Sequence, residues 1–412
     1  MTPLRFVSHA RSQGEIPPPA RAHALPRANP ANVWNASVRR ILCFRPDNLG
    51  DVLMTSPALA ALKQQYPNRH LTLLASRSGA AAARHIPAID EVIEFDVPWA
   101  LNEADADPAR TLALVERLRA GQFDAAVIFT VYSQNPLPAA MVCHLAGIPR
   151  RLGFCRENPY ALLNDWVPEC EPERTLRHEA ARQLALVAAV GAQLDECDEA
   201  RRLCFAVPAS ARASLAARHA LGTGRYLVLH PGATAASRRY PAERFAQVAA
   251  VLAHRTGMPC CLSGSSGEAA LTAGIAQAAG AALRDLGGDP ALIRDLAGQL
   301  SLGELGALIE GAAVLVTNNS GPLHMASALG TPVVALYALT NPQHGPWLTP
   351  HRLLAHDVPC RWCYRSVCPE GHHRCLRGVS GAEVVDAALA LLAEGAARQA
   401  PPPSLSTLTT TE

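Results

Sequence analysis

The loop of residues 45–51, Arg-Pro-Asp-Asn-Leu-Gly-Asp, brings a carboxylate to a position where it could take a proton from a substrate. A short apolar run at 41–44 precedes the loop, and a segment with helical spacing follows it. Gly50 allows a close backbone turn, and Asp51 lies where the helix is predicted to begin. Two interpretations are open: Asp51 caps the helix, or it is a general base that faces a cleft.

A second polar turn, at residues 317–321, follows the apolar run 312–316. Pro322 opens a helical segment that stops at Gly330, as is typical of proline and glycine at helix ends. The free N–H groups at such a helix N-terminus attract anions, so this turn is predicted to hold the diphosphate of a nucleotide sugar. His324, on the first helical turn, is either an ordinary packed residue or a hydrogen-bond donor to the departing diphosphate.

The loop of residues 230–241 also joins a predicted strand to a predicted helix. Its small residues let an anionic ligand approach the backbone, and Thr234 and Ser237 supply hydroxyl groups. Arg238 can pair with a phosphate through two hydrogen bonds.

A fourth strand-to-helix loop, residues 263–268, ends in Glu268. This carboxylate could accept hydrogen bonds from ribose hydroxyls. It could equally do no more than complement the helix dipole.

Four of the twelve cysteines lie within sixteen residues near the C-terminus, with two histidines between them. Four thiolates can enclose a structural zinc ion or, as a weaker alternative, an iron–sulfur cluster. The other interpretation is a set of reduced thiols in an ordered surface loop. Neighbouring aromatic residues could instead line the place where the acceptor of a transferred sugar binds. The cysteines are Cys360, Cys363, Cys368 and Cys375, and the aromatic residues are Trp347, Trp362 and Tyr364.

Strand-length apolar runs alternate with helical segments in two series. The first series has strands at 41–44, 71–76, 92–95 and 125–129, and Pro57 is expected to kink its first helix or to start the regular part of that helix. The second has strands within 225–233 and 259–264 and includes the polar turn at 317–321. Such alternation favours an α/β fold with two Rossmann-like, doubly wound parallel sheets that face each other across a cleft.

The change to alanine-rich helices after residue 168 suggests where the two domains join. The predicted parts are a disordered extension (1–37), a first Rossmann-like domain (38–205), an interdomain connection (206–222), a second Rossmann-like domain (223–399) with a cysteine-rich loop (359–376), and a disordered tail (400–412).

The composition of the 412-residue chain is that of a globular protein, with 49% hydrophobic residues and a net charge of +2, which does not suggest a nucleic-acid partner. No apolar run is long enough to span a bilayer, and many cysteines without a secretory signal predict a cytoplasmic location. Residues 1–35 are rich in Arg and Pro; a disordered extension or a misplaced start is favoured over an organellar transit peptide.

Three stretches together resemble glycosyltransferase family 9, the ADP-heptose:lipopolysaccharide heptosyltransferases, and the likeness runs from about residue 39 to 395. They are the loop ending in Gly50-Asp51 with Pro57-Ala58-Leu59 after it, the run His230-Pro231-Gly232 to Arg238-Arg239-Tyr240-Pro241, and Asn319-Ser320-Gly321-Pro322-Leu323-His324 with Thr331-Pro332-Val333-Val334-Ala335-Leu336 after it.

The resemblance implies a GT-B fold and inverting sugar transfer that requires no metal. It also implies that the first domain (38–205) binds the acceptor and the second (223–399) binds the nucleotide sugar. It implies that Asp51 is the catalytic base and that the adenine lies near Leu300. It also implies that the donor phosphates contact Thr234, Arg238, Ser320, Gly321 and His324. Together with the neighbouring Ser237, Glu268, Asn319 and Pro322, these residues form the predicted substrate-binding set.

Two residues depart from the family pattern. Arg238 stands where the family usually has a lysine, which keeps the charge. Asn319 stands where the family usually has an aspartate, and an amide can donate as well as accept hydrogen bonds. The sugar or the nucleotide could therefore differ from ADP-heptose.

The leading hypothesis is a glycosyltransferase that moves a heptose, or a related sugar, onto a lipopolysaccharide core or similar glycan. It would meet a lipid-linked acceptor as a peripheral protein at the inner membrane face. Arginines of the first domain either favour anionic headgroups or form an ordinary solvated face: Arg39, Arg40, Arg45, Arg77 and Arg84. The rival hypotheses are a sugar-nucleotide epimerase and a non-catalytic sensor of nucleotide or metal on the same fold.

Overall fold

The computed structural model of the chain describes residues 33–99, 107–221 and 223–399. The predicted disorder of residues 1–32 and of the tail from 400 lies outside these ranges. For residues 33–37 the prediction is wrong, because Trp34 is fully buried and its indole N–H donates to Asp165 Oδ2 at 3.0 Å. A large aromatic ring anchored in this way ties the start of the described chain to the first domain.

The first lobe contains a six-stranded parallel sheet in the order β3-β2-β1-β4-β5-β6. Its elements are β1 (Arg40–Phe44), α1 (Leu49–Gln65), β2 (His70–Ala75), α2 (Arg77–Ala83), β3 (Glu91–Glu94), α3 (Pro108–Ala120), β4 (Ala125–Ile128), α4 (Leu137–Leu145), β5 (Arg150–Cys155), β6 (Asp165–Pro168) and α5 (Glu179–Ala188).

The second lobe repeats this topology in the order β12-β11-β10-β7-β8-β9, again with parallel pairs. Its elements are α6 (Ala209–His219), β7 (Leu227–His230), α7 (Ala242–Thr256), β8 (Cys260–Leu262), α8 (Ala269–Asp285), β9 (Ile293–Asp295), α9 (Leu302–Glu310), β10 (Val314–Asn318), α10 (Gly321–Leu329), β11 (Val333–Leu336), β12 (His351–Leu354), α11 (Arg374–Arg377) and α12 (Gly381–Gln399).

Each sheet has a point where the direction of strand succession reverses, between β1 and β4 in the first lobe and between β7 and β10 in the second. Loops that leave the carboxyl ends of the strands at such a point form the ligand crevice of open α/β sheets. The loops after β1, β7 and β10 are the ones that contain the three family-like stretches of the sequence analysis. The fold prediction of two doubly wound parallel sheets is therefore confirmed.

The sequence patterns missed part of the first sheet. β5 begins with Arg150-Arg151 and contains Gly153, and β6 is four residues long, so neither strand has the apolar run that marked the others. Pro57 also differs from expectation in one respect. It lies inside the continuous helix α1, eight residues after its start, so it does not begin the regular part of the helix.

Most of the predicted interdomain connection, residues 206–222, is the helix α6. It packs on α9 of the second lobe: Arg212 forms two ion-paired hydrogen bonds to Glu310, at 2.6 and 2.7 Å, and Ser214 Oγ donates to Glu304 at 2.7 Å. The segment is thus held against the second lobe by polar contacts. The exact domain boundaries stay a prediction.

A single cluster of buried apolar side chains includes residues of both lobes. It contains Leu53 of α1 and Leu186 of α5 in the first lobe, and Leu308 of α9 and Met325 of α10 in the second. Buried apolar surface is the main favourable term in folding, so this shared core stabilises the lobes in their facing arrangement.

Within the described residues, no helix combines the length and the apolar character that crossing a bilayer demands.

Candidate active site

The cleft between the lobes contains a cavity of about 630 Å³. Residues of the loop after β1 line it from one side, and residues of the loops after β7 and β10 line it from the other. An adjoining cavity of about 410 Å³ extends into the second lobe. Four residues line both cavities, which makes the two one continuous site: Leu49, Thr234, Ser320 and Gly321.

The N-termini of α1 and α10 meet across this cleft. A methyl group added at Gly50 would lie 2.5 Å from Cδ2 of the His324 ring, and one added at Gly321 would lie 3.0 Å from Cδ2 of Leu49. Glycine at both positions permits this close approach. The contact brings Asp51 next to the turn around Ser320, as the proposed chemistry requires.

Asp51 lies in the first turn of α1, not at its cap. The N-cap residue is Asn48, so the interpretation of Asp51 as the helix cap is wrong. The Asp51 side chain is 22% exposed and lines the cleft. Its Oδ1 lies 3.4 Å from Nη2 of Arg45. A partly exposed carboxylate that faces a cleft is available as a proton acceptor.

Arg45 is fully buried and is surrounded by acidic side chains. Its Nη2 donates to Glu179 Oε1 at 3.0 Å, and its Nε lies 3.1 Å from Asp47 Oδ2. Burial raises the pKa of Asp47 to about 6, although Arg45 and the amide of Gln134, at 2.6 Å, oppose this rise. A guanidinium beside three carboxylates compensates their charge inside the protein.

On the second lobe, Arg238 and His324 line the cleft together with the turn around Ser320. Arg238 Nη1 donates to the Asn319 carbonyl at 3.4 Å, and its buried Nε has no hydrogen-bond partner among the described residues. The same holds for Nδ1 of the buried His324. Burial lowers the pKa of His324 well below its usual value, so its imidazole is neutral.

Asn319 uses its amide group inside the second lobe. The Nδ2 group donates to Thr340 Oγ1 at 3.0 Å and to the Ala338 carbonyl at 3.4 Å. Asn319 therefore lines the cleft while it holds the segment after β11 in place. Ser237, also predicted to bind substrate, is buried and does not line either cavity; its backbone N–H donates to the Ser366 carbonyl at 3.0 Å.

The smaller cavity contains the remaining predicted contacts: Thr234, Glu268, Leu300, Ser320, Gly321 and Pro322 all line it. Glu268 forms a capping box with Ser265, whose N–H and hydroxyl donate to it at 2.8 and 2.9 Å. Its carboxylate also lies so close to Gly232 that a methyl group there would collide with it. The capping role of Glu268 is thus present, and its position in the cavity also suits a ribose contact.

The cysteine-rich loop forms part of the cleft wall. Tyr364 lines the larger cavity, and its hydroxyl lies 3.1 Å from that of Tyr132 on the first lobe. Cys360 Sγ lies 3.6 Å from His372 Nε2. In the ranges that the structure describes, however, no three side chains of His, Cys, Asp or Glu have an arrangement that could hold a metal ion. The zinc prediction has no geometric support and stays a prediction.

Several residues in or beside the cleft were not assigned to the site by the sequence analysis. Arg45 was expected on the protein surface, facing anionic headgroups or solvent, and both alternatives are wrong because its side chain is fully buried. Gln134 lies in a loop, Glu179 at the start of α5 and His344 in a short 3-10 turn, and no sequence motif marks any of them. The only available signal was their place after a strand or at the start of a helix, which many residues of other function share.

The profile of glycosyltransferase family 9 (heptosyltransferase) matches residues 111–373. The chain belongs to glycosyltransferase family 9. The resemblance drawn from the motifs is thereby confirmed, and so is the assignment as an enzyme of the glycosyltransferase class. The match begins after the loop that carries Asp51, so the role of that residue depends on the geometry described above.

Relatives in the family cover most of the chain. Lipooligosaccharide heptosyltransferase 2 of Haemophilus influenzae is 28% identical over 316 residues, which are 75% of this chain and 86% of the relative. Lipopolysaccharide heptosyltransferase 2 of Escherichia coli is 27% identical over 368 residues, 86% and 98% of the two chains. The structure of Escherichia coli ADP-heptose lps heptosyltransferase II aligns with a TM-score of 0.65 at 25% identity, covering 87% of this chain and 99% of that one.

Proposed function

We propose that this family 9 glycosyltransferase moves a heptose from ADP-heptose to a lipopolysaccharide core acceptor. The observation that carries the proposal is the placement of Asp51 and the Ser320 turn on opposite walls of one cleft. The names of the relatives supply the heptose and the lipopolysaccharide. A site of this kind holds an activated sugar between a base and a diphosphate-binding turn.

In the proposed reaction, Asp51 removes the proton of an acceptor hydroxyl. The acceptor oxygen forms a bond to the anomeric carbon of the heptose, and the bond from that carbon to the donor diphosphate breaks on the opposite face. The configuration of the anomeric carbon is thereby inverted. The departing diphosphate takes the released electron pair, and its charge is met by Arg238 and by the N–H groups at the start of α10.

His324 contributes to the same step as a neutral group. An uncharged imidazole has one N–H donor, and its ring lies beside both Gly50 and the start of α10. We infer that it donates a hydrogen bond to a phosphate oxygen. Thr234, whose side chain is exposed to the cleft, is placed for a second such bond.

The smaller cavity is the proposed nucleoside site. Leu300, Leu302 and Met325 supply apolar side chains that suit a purine ring. Glu268 supplies a carboxylate that suits ribose hydroxyls. His230 also lines it, with a pKa lowered by burial to about 4, so it is neutral at physiological pH.

The acceptor is proposed to enter on the side of the first lobe. There the larger cavity is lined by Ser78, Ser133 and Gln134, and a neighbouring cavity of about 270 Å³ contains Trp99 and Phe44. Polar groups beside aromatic rings are typical of carbohydrate contacts, because sugars present both hydroxyls and apolar faces. We propose that the enzyme works at the cytoplasmic face of the membrane, where it meets a lipid-linked acceptor.

Binding of a set of ADP-, GDP- and UDP-sugars to the purified chain tests the donor assignment. Calorimetry is expected to show tightest binding for ADP-heptose, since apolar side chains and Glu268 of the smaller cavity would fit the adenosine. Glu268→Gln should weaken ADP-heptose binding, while Glu243→Gln on the outer helix α7 should not. A preference for guanine or uracil would remove the ADP-heptose proposal and leave the family unchanged.

Transfer is proposed to need no divalent cation. Arg238 and the α10 N-terminus already offer positive charge to the diphosphate, and in their absence a bound cation would have to compensate this charge. Activity should therefore persist after treatment with a chelator. Elemental analysis of the same sample tests the separate question of zinc in the cysteine-rich loop, where about one zinc per chain would support that prediction.

A further inference from the structure

Asp51, which lines the cleft, is one end of a polar chain that continues through buried residues from the first lobe to the second. Arg45 Nη2 lies 3.4 Å from Asp51 Oδ1 and 3.0 Å from Glu179 Oε1. The other oxygen of Glu179, Oε2, accepts a hydrogen bond of 3.1 Å from Gln343 Nε2. Gln343 follows β11 in the second lobe, so three contacts join the proposed base to the opposite wall.

Glu179 is held firmly in this position. It is fully buried at the first position of α5, and Gln183 Nε2 donates to its Oε1 at 2.6 Å. Burial alone would raise the pKa of Glu179, but Arg45, His344 and Arg182 lower this pKa below its usual value. The carboxylate is therefore ionised, and it competes with Asp51 for the charge of Arg45.

Neighbouring contacts tie the same helix start to the second lobe. His178, the residue before Glu179, stacks on Trp347 with ring centroids 4.4 Å apart. Its Nε2 lies 2.9 Å from the Gly345 carbonyl. Burial lowers the pKa of His178 to about 4, so this ring is neutral and donates from Nε2. The start of α5 thus depends on the position of the segment 343–347.

We propose that Glu179 is a positioning residue for the base: it holds Arg45 away from full pairing with Asp51, and Gln343 links this arrangement to the closure of the lobes. The inference depends on the proposed function, in which Asp51 removes the acceptor proton. When Gln343 holds Glu179, Arg45 stays shared and Asp51 keeps its basicity. When the lobes part, Gln343 leaves Glu179 without this anchor and the base is less well placed.

Glu179→Gln tests the proposal because it removes the charge and keeps the shape. Turnover should fall on the order of 100-fold, while the KM for ADP-heptose stays near that of the unchanged enzyme. The acid limb of the kcat–pH profile, which follows Asp47 with its pKa of about 6, should also move to lower pH, because Glu179 no longer adds a negative charge near that carboxylate. A purely structural role would not move this profile.

Glu171→Gln is the matched control. Glu171 is also fully buried in the first lobe, but its ion-pair partner is Arg177, at 2.5 Å, and not Arg45. Its substitution should leave kcat and the pH profile unchanged. Equal losses of kcat in both variants, with no shift in either profile, would overturn the proposal.

Gln343→Ala provides a second test that removes no charge and covers the case in which Glu179→Gln does not fold. It should lower kcat, and combining it with Glu179→Gln should cost less than the sum of the two effects. An unchanged kcat in Gln343→Ala would contradict the link to lobe closure. Asp51→Asn, measured in the same assays, distinguishes a failure of the Glu179 proposal from a failure of the proposed function. Full activity in that variant would refute the proposed function itself.

Discussion

At the scale of single residues, one buried guanidinium beside the cleft is shared among three carboxylates. Burial alone would lower the pKa of Arg45, but Asp47, Glu179 and Asp51 raise it above its usual value, so its charge is permanent. Each of the three carboxylates therefore interacts with the same single positive charge, that of Arg45. Any change that removes one carboxylate shifts that charge toward the other two.

Asp47→Asn should remove a pH dependence from the reaction. Because the pKa of Asp47 is about 6, its carboxylate is ionised above that pH and protonated below it. Protonation frees Arg45 to pair with Asp51, which makes Asp51 a weaker base, so kcat should fall as the pH drops through about 6. The variant should show a lower kcat at pH 8 and no limb near 6.

Asp165→Asn is the control for this measurement. Burial likewise raises the pKa of Asp165, but its carboxylate accepts from Trp34 far from the cleft. Its kcat–pH profile should match that of the unchanged enzyme. If the fall of kcat near pH 6 persists in Asp47→Asn, the group responsible for that fall is not Asp47.

Local motifs identified some residues of the site and missed others for a physical reason. Ser320 lies in a strand-to-helix turn, and Asp51 and His324 lie in the first turn of the helix that follows such a loop, where sequence order itself sets the geometry. The contact between Arg45 and Glu179 joins residues 134 positions apart, and that between Glu179 and Gln343 spans 164. No local pattern encodes such pairs, because they exist only after the sheets and the lobes have assembled.

At the scale of elements, the close contact of α1 and α10 determines how the base meets the donor. The ring of His324 occupies the space beside Gly50 that any larger side chain would need. The sequence predicted both helix starts, but not that they touch. That contact follows from the two sheets facing each other with their switch points aligned.

Gly50→Ala should impair transfer through this contact. The added methyl group would lie 2.5 Å from the His324 ring, which must then move or push the helices apart. We expect kcat to fall by about tenfold or more, since small displacements of reacting groups are costly. Steady-state kinetics of the purified variant provide the measurement.

A double variant identifies the cause. If the clash is responsible, Gly50→Ala combined with His324→Ala should be no slower than His324→Ala alone, because the ring is then absent. Independent, multiplying losses would show that Gly50 acts through something other than His324.

At the scale of the whole molecule, the two lobes repeat one topology and share one apolar core. The alternation of strand-length apolar runs with helical segments predicted that both sheets are parallel and of the Rossmann-like type. The sequence did not predict the shared core. Apolar residues such as Leu53 and Met325 have the pattern of residues buried within their own lobe, although they belong to one cluster. The domain boundaries predicted from composition also divide this cluster.

The shared core predicts that the lobes unfold together. Calorimetry of the chain without ligand should show a single cooperative transition, since the loss of either lobe exposes apolar surface of the other. Saturating ADP-heptose should raise the Tm of that transition, as any ligand specific to the folded state does. Two separate transitions, with only one moved by the donor, would show that each lobe is stable alone.

The account as a whole depends on one carboxylate acting as the base in the cleft. Its most direct test compares Asp51→Asn with the unchanged enzyme in two assays: heptose transfer from ADP-heptose and donor binding by calorimetry. The account predicts a fall in transfer of about 10²- to 10⁴-fold with donor affinity unchanged, because the amide keeps the shape but cannot take the proton. Full transfer activity in Asp51→Asn would contradict it.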